Sequence, residues 1–151
     1  MLSFSKKKTF FTIEQQKLIV DAVQQAEKRT SGEVRVFVES RCKYMDAIDR
    51  AYEIFFSLKM NNTADRNAVL LYVALKDRQL AIFADEGIHS RLGQQYWNDE
   101  ISKMIANFNR EDYADGIRKC VISIGEALYQ QFPFDNDTDK NELPDDIVFG
   151  N

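Results

Sequence analysis

Between Ala68 and Leu75 the chain reads AVLLYVAL, eight consecutive apolar residues without a polar break. An amphipathic helix would interrupt such a run with polar positions, and a strand exposed on one face would alternate. A run of this length, bounded by polar turn residues, predicts a strand buried on both faces. Such a strand needs cover above and below, which restricts the chain to layered folds. Lys76 and Asp77 then make a tight turn, and Gln79 to Ala84 (QLAIFA) reads as a returning strand, so the two runs form a hairpin.

The flanking segments supply the cover. Thr12 and Gln15 have the spacing of a capping box, followed by Leu18, Ile19, Ala22, Val23 and Ala26 at helical intervals, with Ser31 and Gly32 closing the helix. Val34, Val36 and Val38 alternate with Glu33, Arg35, Phe37 and Glu39, which reads as a first strand. Asp46 stands as the cap of a second helix carrying Ala47, Ile48, Ala51, Tyr52 and Phe55 and ending at Asn61 and Asn62. A third helix holds Leu92, Tyr96, Trp97, Ile101, Met104, Ile105 and Phe108 as a core stripe. A fourth, after Asp112, carries Tyr113, Ile117, Cys120, Val121, Ile124 and Leu128 and stops at Pro133. The order α-β-α-β-β-α-α predicts an α/β fold, a three-layer α-β-α sandwich in which a small mixed sheet is flanked by four helices. Its first two strands are parallel and the third antiparallel to the second. At 151 residues the chain suits one domain. Residues 1–11 read as a flexible N-terminus, 12–134 as the domain and 135–151 as an extended acidic tail.

Composition removes several function classes. The net charge is −4 and the one basic run is Lys6, Lys7 and Lys8, so a nucleic-acid partner is not expected. No apolar run reaches membrane length and no secretory signal core follows Met1, so the chain reads as cytoplasmic, without a membrane segment. Cys42 and Cys120 make neither a disulfide framework nor a zinc ligand set, and Cys120 falls on the apolar stripe of its helix. His89 is the only histidine, too little for a zinc site or a His-based triad, and reads as a first-turn surface residue. There is no glycine-rich phosphate loop.

The topology does assemble one constellation. Parallel first and second strands begin at the same end of the sheet, and the third strand ends there. Glu33, Asp65, Arg66, Asn67, Asp85 and Glu86 are thereby expected to gather beside Gly87. Each has an ordinary reading: Asp65 capping a turn, Asp85 an N-cap, Glu86 on the positive end of a helix, and Gly87 serving a turn of positive φ. Together, several carboxylates repel one another unless a cation or an arginine neutralises them. Hard oxygen ligands select calcium or magnesium. The tail holds a decoy: DNDTDKNELPDD, Asp135 to Asp146, has acids at the first, third and fifth places of a calcium loop. Lys140 stands at the sixth place instead of glycine, Asp146 at the twelfth instead of Glu, and Pro144 intrudes.

The stretches SGEVRVFV, RNAVLLYVALKDRQLAIFADEGI, FNREDYADGI and NELPDDI, in this order from about residue 12 to 148, resemble the TPM domain family. That family includes thylakoid-lumen proteins of photosystem II repair, a modulator of nematode acetylcholine receptors and many bacterial members. The similarity is greatest to small stand-alone bacterial members with a NELP-type tail. The resemblance implies an α-β-α sandwich and binding of a divalent cation, usually calcium, in a cleft at the sheet edge. For some plant members it implies a weak acid phosphatase activity. Asp65, Asp85 and Glu86 match the family's acidic loops, and Asp112 and Asp115 match its F…DY..GI loop. Ala68 and Ala84 stand where the family commonly has glycine. Many relatives carry a signal peptide and a membrane helix, and neither is expected here.

The leading expectation is a domain that binds calcium or magnesium through Asp65, Asp85 and Glu86, with Glu33, Asp112 and Asp115 as further ligands, in a regulatory or binding role. A rival is a weak metal-assisted phosphatase in which Arg66 contacts the phosphate. A third is a metal-free module that binds an unidentified protein.

Overall fold

The computed structural model describes residues 10–108, 112–134 and 147–150. Helix α1 (Ile13–Glu27) begins with the expected capping box: the Gln15 N–H donates to Thr12 Oγ1 at 3.1 Å and the Thr12 N–H to Gln15 Oε1 at 2.9 Å. It is followed by β1 (Glu33–Glu39), α2 (Ala47–Ser57), β2 (Ala68–Ala74), β3 (Gln79–Ala84), α3 (Glu86–Leu92), α4 (Gln94–Phe108), α5 (Tyr113–Gln131) and β4 (Val148–Phe149). The sheet order is β3-β2-β1-β4. β1 lies parallel to β2, from Glu33 opposite Ala68 to Glu39 opposite Ala74, and β3 is antiparallel to β2.

The apolar run of β2 is buried along its whole length. Its period-two geometry divides the core in two. Val69, Leu71 and Val73 face α1, α4 and α5, where they meet Ile19, Val23, Met104, Ile117 and Val121. Leu70 and Tyr72 face α2 and pack on Ala51, Ile54 and Phe55. Each fully buried aliphatic side chain of this kind contributes about 1.5–3 kcal/mol. The result is the expected three-layer α/β sandwich with a mixed sheet. Among the described residues no helix is long and apolar enough to cross a membrane.

β1, like β2, is covered on both faces, and all its residues but Arg35 are buried. Three expectations are corrected. There are five helices among the described residues, not four, because Gly93 at φ 81° separates α3 from α4. Ile105 does not belong to the core stripe of α4 and is 47% exposed. Within the segment read as an extended tail, Val148 and Phe149 pair with Phe37 and Val38 as a fourth, parallel strand.

Candidate functional site

The sheet end where β1 and β2 begin and β3 finishes is organised by backbone contacts. The Asp85 N–H donates to Ala68 O at 2.9 Å, continuing the β2–β3 ladder by one position. There the chain turns into α3 with Asp85 as N-cap, its Oδ1 accepting from the Glu86 N–H at 2.8 Å. The first turn of α3 is pressed onto the loop before β2: the Gly87 N–H donates to Arg66 O at 2.8 Å. A Cβ at position 87 would lie 2.1 Å from Asp65 O and 2.6 Å from Arg66 O. Glycine is needed here for close approach of two backbones rather than for the positive φ expected of it. The glycines missing at Ala68 and Ala84 are therefore not needed for that approach.

Arg66, at φ 51°, is the residue that turns back over this contact. Its Nε donates to Asp85 Oδ2 at 2.6 Å and its Nη2 to Oδ1 at 2.8 Å, a two-pronged pairing with added geometric specificity. Its Nη1 lies 3.3 Å from Glu86 Oε1. The Asp85 carboxylate raises the guanidinium further above its ordinary value. The Asp85 side chain is 3% exposed, that of Arg66 37% and that of Glu86 75%, so a buried carboxylate and an open one share a half-open cation.

The structure brings together only part of the expected set. Asp85, Glu86 and Arg66 meet, with Asp65 exposed on the adjoining loop and its carbonyl against Gly87. Glu33 is buried at the start of β1, opposite Ala68, so β2 stands between it and Asp85, a separation of roughly 10 Å at the usual strand spacing. Asp112 and Asp115 lie elsewhere. The Leu128 side chain, near the end of α5, packs on Gly32 at this end of the sheet, which puts the start of that helix about 20 Å away. There Asp112 Oδ1 accepts from the Asp115 N–H at 3.3 Å. Arg118 and Lys119, at 2.7 and 3.0 Å, hold the Asp115 carboxyl below the usual carboxylate range. The calcium-loop-like segment, residues 135–146, lies outside the described residues.

A calcium site needs six to eight oxygens converging on one point. Among the described residues no three Asp, Glu, His or Cys side chains do so. Both Asp85 oxygens already accept from Arg66. With Arg66 in place the residues do not fit a divalent cation, because the guanidinium supplies the neutralising charge itself.

Beside the pair opens a cleft of about 410 Å³, walled by Ile48, Phe56, Phe83 and Trp97, with Arg66, Glu86 and His89 at its polar end. The Trp97 indole N–H, which can only donate, points at His89 Nδ1 at 3.1 Å. In that bond His89 Nδ1 is the acceptor. His89 is half-buried in the cleft wall rather than a surface residue.

Sequence reasoning missed one polar cluster. The Arg50 Nε and Nη2 donate to Glu39 at 2.9 and 3.1 Å, and the Tyr72 hydroxyl donates to Glu39 Oε2. Burial first, then Glu39, pushes the Tyr72 phenol up. The signal was available: a tyrosine inside a fully buried strand needs a partner for its hydroxyl.

Comparison with known proteins follows the same outline. The NMR structure of the BA42 protein from the psychrophilic bacterium Bizionia argentinensis is 38% identical over 97% of this chain and 99% of its own, with a TM-score of 0.87. The N-terminal domain of the cg2496 protein from Corynebacterium glutamicum shares the fold at 12% identity, with a TM-score of 0.59 over 89% of this chain and 80% of that one. No curated protein matches. The model of the TPM domain matches residues 5–127, and the chain belongs to the TPM domain family.

Proposed function

We propose that the chain is a binding module with a regulatory role, and that its ligand is a divalent cation, calcium or magnesium. The cation is taken up at the sheet edge by Asp85 and Glu86, with Asp65 from the adjoining loop, in competition with Arg66. The observation that carries this reading is the pair of adjacent carboxylates pinned by the Gly87 contact, with a counter-ion that is itself 37% exposed.

Four melting curves test the reading: wild type and the Asp85→Asn/Glu86→Gln variant, each with calcium and with chelator. Binding adds about 2.7 kcal/mol when free ligand stands at a hundred times its dissociation constant. A calcium-dependent rise is expected in the wild type alone. A rise of equal size in both proteins removes Asp85 and Glu86 from the site, and no rise in either ends the cation reading.

A further inference from the structure

β3 forms an outer edge of the sheet, and among the described residues no strand pairs with its far side. The opposite edge is treated differently, since β4 covers β1 there. Natural edges are commonly guarded by a charge, a proline or a bulge. β3, Gln79-Leu80-Ala81-Ile82-Phe83-Ala84, has neither charge nor proline and pairs residue for residue with β2. The groups it presents follow from the ladder. Asp85 N–H to Ala68 O marks a bonded position, and bonded positions alternate along an antiparallel pair. Phe83, Ala81 and Gln79 therefore bond to β2, while Ala84, Ile82 and Leu80 turn their N–H and C=O outward.

The flank of this edge is apolar. Tyr52, Phe56 and Ile48 of α2 are 56%, 38% and 48% exposed. The rings of Tyr52 and Phe56 lie 5.4 and 6.0 Å from that of Phe83. The ends are charged with opposite sign: Lys76 and Arg78 are exposed just before the strand and Glu86 just after it. An edge that is basic where it begins and acidic where it ends complements an antiparallel copy of itself.

We propose that the β3 edge pairs with β3 of a second copy of this chain about a two-fold axis, joining the two sheets into one. Outward-turned residues must meet outward-turned residues, which excludes registers that pair even with odd positions. With Ile82 opposite its own counterpart, Leu80 meets the partner's Ala84 and Arg78 meets the partner's Glu86, and symmetry repeats both contacts. The aromatic flank of α2 then adjoins that of the partner. The pairing shares Glu86 with the cation reading, so it is tested with chelator present, where the failure of one leaves the other standing.

The test is sedimentation equilibrium of the full chain at low and high salt, with amide exchange at rising protein concentration. A dimer that weakens with salt is expected. Exchange should slow with concentration at Leu80, Ile82 and Ala84, and not at Ala81 or Phe83, which already bond to β2. Arg78→Glu, on an exposed turn, should weaken association about tenfold by placing like charges across the strands twice. Arg78→Glu with Glu86→Arg should restore it. A chain that stays monomeric to about 1 mM overturns the proposal. So does a dimer without slowed exchange at those three amides, or one indifferent to Arg78→Glu.

Discussion

Replacing Gly87 by Ala tests whether the sheet edge is held by backbone contact. A methyl group at this position has to open its distance to Asp65 O from 2.1 Å to at least the 3.4 Å of ordinary contact, and to Arg66 O from 2.6 Å. Both obstacles are backbone atoms, so no rotamer change relieves them and α3 has to move off the loop. Overpacking of this kind costs about 1–3 kcal/mol. Moving the helix also loosens the hydrogen bond from the Gly87 N–H to Arg66 O, worth about 0.5–1.5 kcal/mol. Alanine returns about 0.5–1 kcal/mol of helix propensity. The net expectation is a loss of about 0.5–4 kcal/mol. For a chain of this length that lowers the melting temperature by about 2–4 °C per kcal/mol. In urea the midpoint should fall with an unchanged slope, because the extent of the fold is the same. A variant as stable as the wild type, or more stable by the propensity gain, would refute the close approach. Gly93 is the internal control: at φ 81° and ψ 165° with nothing within 4 Å, Gly93→Ala meets backbone strain alone, about 1–3 kcal/mol.

Arg66→Gln removes the two-pronged partner of a carboxylate that is 3% exposed, and should cost about 1–3 kcal/mol in chelator. The same variant should gain more stability from calcium than the wild type does, and an equal gain in both would remove Arg66 as a competitor. Burial pushes the Tyr96 phenol up to about 12 from its ordinary 10.0. A raised pKa stabilises the fold below pH 10, and the contribution is lost as the pH climbs from 10 towards 12. Tyr96→Phe should flatten the decline of the urea midpoint across that window, and an unchanged decline would refute the assignment. Ending the chain after Phe134 removes β4, the Phe149 ring 5.8 Å from Phe10, and the Gly150 N–H bond to Val38 O at 2.7 Å. A folded domain of lower melting temperature that keeps its calcium response is expected, and loss of that response would move the site into residues 135–146.

The parts of the fold that were legible are those written in local periodicity or burial. β2 shows itself because a strand covered on both faces has no polar position to hide, and the α1 capping box because both its members lie within one turn. β4 was illegible for the opposite reason: two residues have no period, and their strand exists only through pairing with Phe37 and Val38. The break at Gly93 was hidden because the apolar spacing of α4 begins at Leu92, so the stripe itself runs across the glycine. The alternation in β1 marks the strand but not the partners of its polar residues. Glu39 is buried, satisfied by Arg50 and Tyr72 from other elements.

The site divides in the same way. Strand direction alone brings Asp85 and Glu86 to the end where β2 begins, so their meeting with Arg66 could be read from topology. Which charge answers which could not. That choice depends on Arg66 lying at φ 51°, which turns its fork onto Asp85, and on β2 standing between Asp85 and Glu33. Neither leaves a mark in residue type or spacing. The Gly87 contact joins the two levels: the backbone approach that docks α3 on the Asp65–Arg66 loop also sets the distance from Arg66 to Asp85. The charge arrangement of this edge is thus held by the packing of a helix against a loop rather than by attraction between the charges. The Arg66–Glu86 contact, with Glu86 75% exposed, would contribute about 0–1 kcal/mol, too little to place the loop. It follows that Arg66 can be exchanged for another cation with α3 still docked, whereas any side chain at position 87 pushes α3 off the loop at a cost in stability.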